Sequence, residues 1–106
     1  MVLRLSSSLV LFFLFSCGQN QDQEILIGTP IEKGEQLYLI NCSRCHGTDG
    51  SKGASGAKNL QYSSLSKEQV SSIIKNGKGA MGAYRSIIKS DSSMMWLVEY
   101  VQTLRK

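Results

Sequence analysis

The chain has 106 residues, with 12 Lys+Arg against 8 Asp+Glu and a formal charge of +4. That is room for one small domain, too small to be comfortable on apolar packing alone and in need of a staple. Its basic residues are scattered singly apart from Arg105-Lys106, which argues against a nucleic-acid surface and for a solvated one.

The opening MVLRLSSSLVLFFLFSC has one positive charge at Arg4, an apolar run from Leu9 to Phe15, and then Ser16-Cys17. Such a run is too short to span a bilayer, but the order charged, apolar, small is that of a secretory leader. Leu14-Phe15-Ser16-Cys17 resembles the bacterial lipoprotein box, which implies cleavage before Cys17 and lipid on its sulfur. Residues 1–16 are then a signal peptide, 17–29 a lipidated N-terminus and polar tether, and 30–106 the folded domain. The expectation is an exported, lipid-anchored protein of a bacterial cell envelope, facing the periplasm and held to the membrane without crossing it.

Pro30 suits a helix entry, and Leu37, Tyr38 and Ile40 give an apolar stripe, so a first helix is predicted over Ile31–Asn41. Gly34 inside that pattern costs about 1 kcal/mol against alanine, which points to a second element approaching closely there.

Next comes Cys42-Ser43-Arg44-Cys45-His46-Gly47. Zinc asks for four donors, commonly in two spaced pairs, and His46 is the single histidine of the chain. A thiol–disulfide couple usually sits beside a strand-rich sheet, for which the chain has almost no alternating pattern. A plain disulfide, favoured in an oxidising compartment, leaves the adjacent histidine unexplained. Haem accounts for every member: two thiols on one helical turn form thioethers to its edge, and the next residue offers an imidazole to iron. Cys-x-x-Cys-His is the signature of c-type haem attachment.

Four glycines lie between Gly47 and Gly56, and the stretch to Ser64 reads as loop; without a Gly-Lys-Ser/Thr element it makes no nucleotide site. Ser66 with Gln69 forms a capping box that opens a helix carrying Val70, Ile73 and Ile74, closed at Asn76-Gly77 in the manner of an αL cap. Met81 sits in Gly77-Lys-Gly-Ala-Met-Gly82 with no periodic apolar partner, unlike a core methionine. A last helix runs from Ser90 or Asp91 through Leu104 and buries Met94, Leu97, Val98, Val101 and Leu104. Met94 is therefore core and Met95 near the surface, which leaves Met81 as the preferred sulfur donor. Trp96 falls off the stripe and is expected to be partly buried.

Gly34-x-x-x-Tyr38-x-x-x-Cys42-x-x-Cys45-His46-Gly47, the glycine-flanked Met81, and a final helix with Leu97 and Tyr100 resemble the small monohaem class I cytochromes c, over Ile31 to Leu104. The resemblance implies an all-α cytochrome c fold, three to four helices and loops wrapped around one covalently attached haem c. It implies a crossing of first and last helices at Gly34 and Tyr38 against Leu97 and Tyr100. It also implies His46 and Met81 as axial ligands and Leu60 against the ring. Lys58-Asn59-Leu60 stands where the family has a proline whose carbonyl orients the histidine, and Gly82 where a proline follows the methionine.

Filled axial positions leave a one-electron carrier, not an enzyme, a monomer serving redox partners such as respiratory complexes or reductases, with the membrane reached through its lipid. If the Met81 position were open, peroxidase-type chemistry or gas sensing would be the alternatives.

Overall fold

The computed structural model describes residues 25–106. Four helices follow one another as α1 Pro30–Asn41, α2 Ser43–His46, α3 Lys67–Asn76 and α4 Asp91–Thr103, with short 3-10 turns at Ala54–Gly56 and Leu60–Tyr62. Among the described residues there is no strand; one isolated antiparallel bridge pairs Lys78 with Met81. No helix described is long and apolar enough to cross a membrane.

Local sequence sets each start. Thr29 caps α1 through a capping box with Glu32, with Pro30 in the first turn. Ser66 and Gln69 form the box at α3, and Ser90 accepts from the Ser93 amide at α4. At the end of α3, Gly77 has φ 76° but ψ 169°. This corrects the expected αL cap: the chain leaves in an extended direction at positive φ, a region open essentially to glycine alone.

α1 and α4 cross in contact. Gly34 is buried in α1, and a Cβ built on it would overlap the Trp96 carbonyl oxygen and lie 2.7 Å from the Trp96 carbonyl carbon and 2.9 Å from Tyr100 Cβ. The Tyr38 and Tyr100 rings sit 5.3 Å apart, tilted by 51°, a spacing favourable for aromatic pairs. Lys33 lies 4.7 Å over the Trp96 ring, a cation–π contact that holds the part-buried tryptophan against α1. The core gathers Leu37, Tyr38, Val70, Ile74, Ile88, Met94, Leu97, Val98 and Val101. Tyr38 and Leu97 are fully enclosed.

Ile40 departs from the expected stripe and is 53 % exposed. At 100° per residue it lies about 160° around the helix from Tyr38, so the crossing with α4 that buries Gly34, Leu37 and Tyr38 turns Ile40 outward.

Of the stretch 17–29, the described end docks on the body. The Gln36 amide group donates to the Ile27 carbonyl (2.6 Å) and accepts from its N–H (3.3 Å), while Leu26 packs on the core. Residues 1–24, and with them the leader, lie outside the described residues.

Candidate functional site

Cys42 is the joint between α1 and α2, with φ −117° and ψ −32°. Its N–H still bonds back to Tyr38 (2.8 Å), but the Cys45 and His46 amides both turn to the Cys42 carbonyl, at 3.2 and 3.0 Å. The joint sets Cys42 half-buried against the core edge and Cys45 exposed, one turn apart, with His46 closing α2. Neither thiol is in a disulfide. Burial, with the neighbouring Cys45 adding to it, pushes the Cys42 thiol up to about 12. Cys42 is therefore not an attacking thiolate at neutral pH.

His46 is held from three sides. Its Nδ1 lies 3.0 Å from the Lys58 carbonyl oxygen. A carbonyl only accepts, so Nδ1 carries the proton, and in the neutral ring Nε2 is left with its lone pair. The Lys52 amide donates to the His46 carbonyl (2.9 Å), and the Tyr38 hydroxyl donates to the carbonyl of the next residue, Gly47 (2.6 Å). Lys58 thus supplies the orienting carbonyl, within the stretch Lys58-Asn59-Leu60 where the resemblance implied a proline.

The loop bearing Lys58 is itself tied down. The Leu60 amide donates to Gly50 (2.9 Å). The buried Gln61 side chain donates through Nε2 to the Asp49 carbonyl (3.1 Å), while the Gln61 backbone carbonyl accepts from the Lys106 N–H (3.0 Å). Leu60 packs half-buried on the core edge, as do Cys42 and Met81. In Met81 the backbone N–H and C=O both pair with Lys78 at 3.0 Å, which closes a tight loop. Beyond it, the Tyr84 hydroxyl donates to the Asn41 carbonyl (3.2 Å), next to Cys42.

The two rival methionines are placed as expected. Met94 is 4 % exposed within the core and Met95 is 56 % exposed. Met94 would have to leave the core to offer its sulfur. Met95 lines an open groove of about 490 Å³ between α3 and α4 that none of the Cys42–His46 turn lines. Cys17 lies outside the described residues. Sequence reading did not find Lys58, Gln61 or Tyr84. Each of the three acts through a backbone carbonyl or toward one, 12 or 43 positions along the chain, and no local pattern announces such contacts.

The donor set fits a c-type haem: two unbridged thiols one turn apart, an imidazole with a fixed tautomer, and a thioether, Met81, that packs part-buried against the same core as Cys42. Residues 29–101 match the family described as cytochrome c oxidase, cbb3-type, subunit III. The chain is 30% identical over 79 residues to cytochrome c6 of Gracilaria tenuistipitata var. liui, covering 69% of this chain and 72% of that protein. It is 38% identical over 76 residues to cytochrome c-551 of Bacillus subtilis (strain 168), covering 64% and 66%. Among solved structures, the KustC0563 c-type cytochrome superposes with a TM-score of 0.61 at 26% identity, over 69% of this chain and 98% of that one. Cytochrome cL from Hyphomicrobium denitrificans gives 0.59 at 26% identity, over 73% and 48%. With an all-α fold, this donor set and these relatives, the chain belongs to the cytochrome c family as a small monohaem class I cytochrome c, an electron carrier with one covalently attached haem c.

Proposed function

We propose that Cys42 and Cys45 form the two thioethers, that His46 Nε2 and the Met81 thioether are the axial ligands, with Leu60 against the ring, and that the protein passes single electrons in a respiratory or related chain. The observation that carries this is the Lys58 carbonyl on His46 Nδ1, at 3.0 Å. Metal-bound histidines characteristically donate their other ring N–H to such an acceptor, which fixes the tautomer and raises the basicity of the ligating nitrogen. The bound haem supplies the one-electron ferric–ferrous couple. His46 keeps its orientation in both oxidation states because its ring, its carbonyl and the next carbonyl are each bonded. A thioether from Met81 favours the ferrous form and so raises the potential, and with both positions filled, oxygen and peroxide find no place to bind.

Cys17 carries the lipid in this reading, and the monomer faces the periplasm from a membrane surface, exchanging electrons with respiratory complexes or a reductase. A carrier restricted to a surface meets membrane-bound partners without a spanning helix of its own.

Protein made with a c-type maturation system is expected to give the denatured-haem pyridine spectrum of a thioether-bound haem, and a reduced spectrum that carbon monoxide alters only slowly. Met81→Ala is expected to admit carbon monoxide and lower the potential; a wild-type protein that binds the gas rapidly would favour a peroxidase-type or gas-sensing role instead. Cys17→Ser is expected to move the protein from the membrane to the soluble fraction, and continued membrane association would remove the lipid anchor from the proposal.

A further inference from the structure

Among the described residues no hydrogen bond holds Gly82 or Ala83, although their backbone passes close to Gly77. Gly82 and Ala83 are exposed, and a Cβ built on Gly82 meets no atom within 4 Å. The first fixed point beyond is Tyr84. Its N–H donates to the Ile74 carbonyl of α3 (2.8 Å), and its carbonyl accepts from Ile87 (3.0 Å) and Ile88 (2.8 Å), with Ile88 buried. The ring packs half-buried on the core edge, and the hydroxyl reaches the Asn41 carbonyl at 3.2 Å, across 43 positions of sequence. That acceptor is available because of the joint at Cys42. In a continuous helix the Cys45 amide would bond to Asn41, but here it turns to Cys42.

We propose that Tyr84 is a positioning residue for the Met81 sulfur: its hydroxyl ties the methionine segment to the backbone adjoining Cys42, replacing the stiffness that a proline after Met81 would give. This rests on the reading of Met81 as axial ligand. The geometry links the two sides of the site directly, since one end of the bond lies three residues after Met81 and the other is the residue before the first cysteine. The Lys78–Met81 pair closes the loop upon itself, and among the described residues the Tyr84 hydroxyl is what ties the segment beyond it to Asn41, the residue adjoining Cys42.

The test is Tyr84→Phe in the holoprotein, which keeps the ring and removes only the hydroxyl. The bond lost has the size of one hydrogen bond, so carbon monoxide should associate with the reduced variant about three to ten times faster than with wild type. The absorption spectrum without added ligand should stay that of wild type. By hydrogen exchange, the Lys78 and Met81 amides should lose protection by a similar factor, while Val98 and Val101 in α4 stay unchanged. Unchanged gas association with unchanged Lys78 and Met81 protection would overturn the proposal. So would a uniform loss of protection that includes α4, which would mean general destabilisation only. If wild type binds carbon monoxide as fast as Met81→Ala does, Met81 is not the ligand, and the proposal falls with that reading. If Met81→Ala opens the site and Tyr84→Phe does not loosen it, the ligand assignment stands and the role of Tyr84 alone is refuted.

Discussion

Gly34 on α1 and Trp96 on α4 meet backbone to backbone, with the Trp96 carbonyl filling the space where a side chain at position 34 would begin. Helix propensity and packing here make opposite predictions for Gly34→Ala. Propensity alone favours alanine by about 1 kcal/mol, whereas forcing a methyl against a peptide group separates the helices at a cost of about 3 kcal/mol. The carbonyl is held within α4 and has nowhere to go, so packing wins. Thermal unfolding of the holoprotein should show a marked drop in midpoint, and an unchanged or raised midpoint would mean that the crossing is looser than described.

The two thiols supply a second check. With Cys42 and Cys45 both in thioethers, holoprotein truncated before residue 18 should show no titratable thiol even when denatured, because the chain has no other cysteine beyond Cys17. Each of Cys42→Ala and Cys45→Ala should keep one link and shift the pyridine haemochrome band. Free thiols in stoichiometric amount with a full complement of haem would contradict the attachment.

Tyr38 gives a prediction in pH. Burial is the main cause that raises its phenol well above the ordinary value of 10.0, with the neighbouring Cys42, Tyr100 and Asp49 adding to it. A group whose folded pKa is raised contributes stability that is complete below its unfolded value and is lost as pH climbs through the folded one. Wild type should therefore lose stability above pH 10.0, and Tyr38→Phe should lose less over the same span. Tyr100 is also raised and titrates in both proteins, so the difference between them is the quantity to read. At neutral pH the variant should be weaker by about 1 kcal/mol, at the low end because the Gly47 carbonyl keeps a 3.3 Å contact from the Gly50 amide.

At the other extreme of pH stands the start of α1. The Thr29 backbone N–H, with its side chain, holds Glu32 below the usual value of 4.5. A lowered folded pKa contributes stability that is present above the unfolded value and disappears as pH falls through the folded one. Glu32→Gln should flatten this acid limb of the stability curve without altering the alkaline one. Thr29→Ala should cost about 1 kcal/mol at neutral pH. An acid limb identical in wild type and Glu32→Gln would show that the box is not formed in solution.

Gly82 tests the flexibility of the methionine segment. Its φ lies outside the positive range and its surroundings are open, so alanine fits without strain. Reducing the freedom of the unfolded chain should stabilise Gly82→Ala by about 0.4–1 kcal/mol. Carbon monoxide should also associate more slowly with the reduced protein. A destabilised variant would mean that the backbone at residue 82 is not as described.

The parts legible in the sequence were those decided by neighbours. Ser66 and Gln69 stand three apart and form their box wherever a helix follows. Met94, Leu97, Val98 and Val101 follow helical spacing and are buried, whereas Leu104 of the same expected stripe caps the helix end and is only half-buried. Thr29 and Glu32 have the same spacing as the Ser66 box and were within reach of the same rule. Ile40 was misplaced because a stripe read from one helix does not say where its partner crosses. Lys58 and Tyr84 were out of reach for a different reason: each joins a backbone carbonyl to a side chain far away in sequence, and a peptide carbonyl has no letter of its own. A close approach at Gly34 was legible from the glycine itself, but that the last helix makes it was anticipated only through resemblance to a known family.

The first helix and the last are the pair that closes the body, and about sixty residues separate Gly34 from Trp96, a long-range pairing that is slow to find. While the chain emerges, Cys42 and Cys45 are thus made well before the helix against which their own helix packs. If these cysteines carry the thioethers as proposed, they can meet haem while α1 still lacks the partner that buries Gly34, Leu37 and Tyr38.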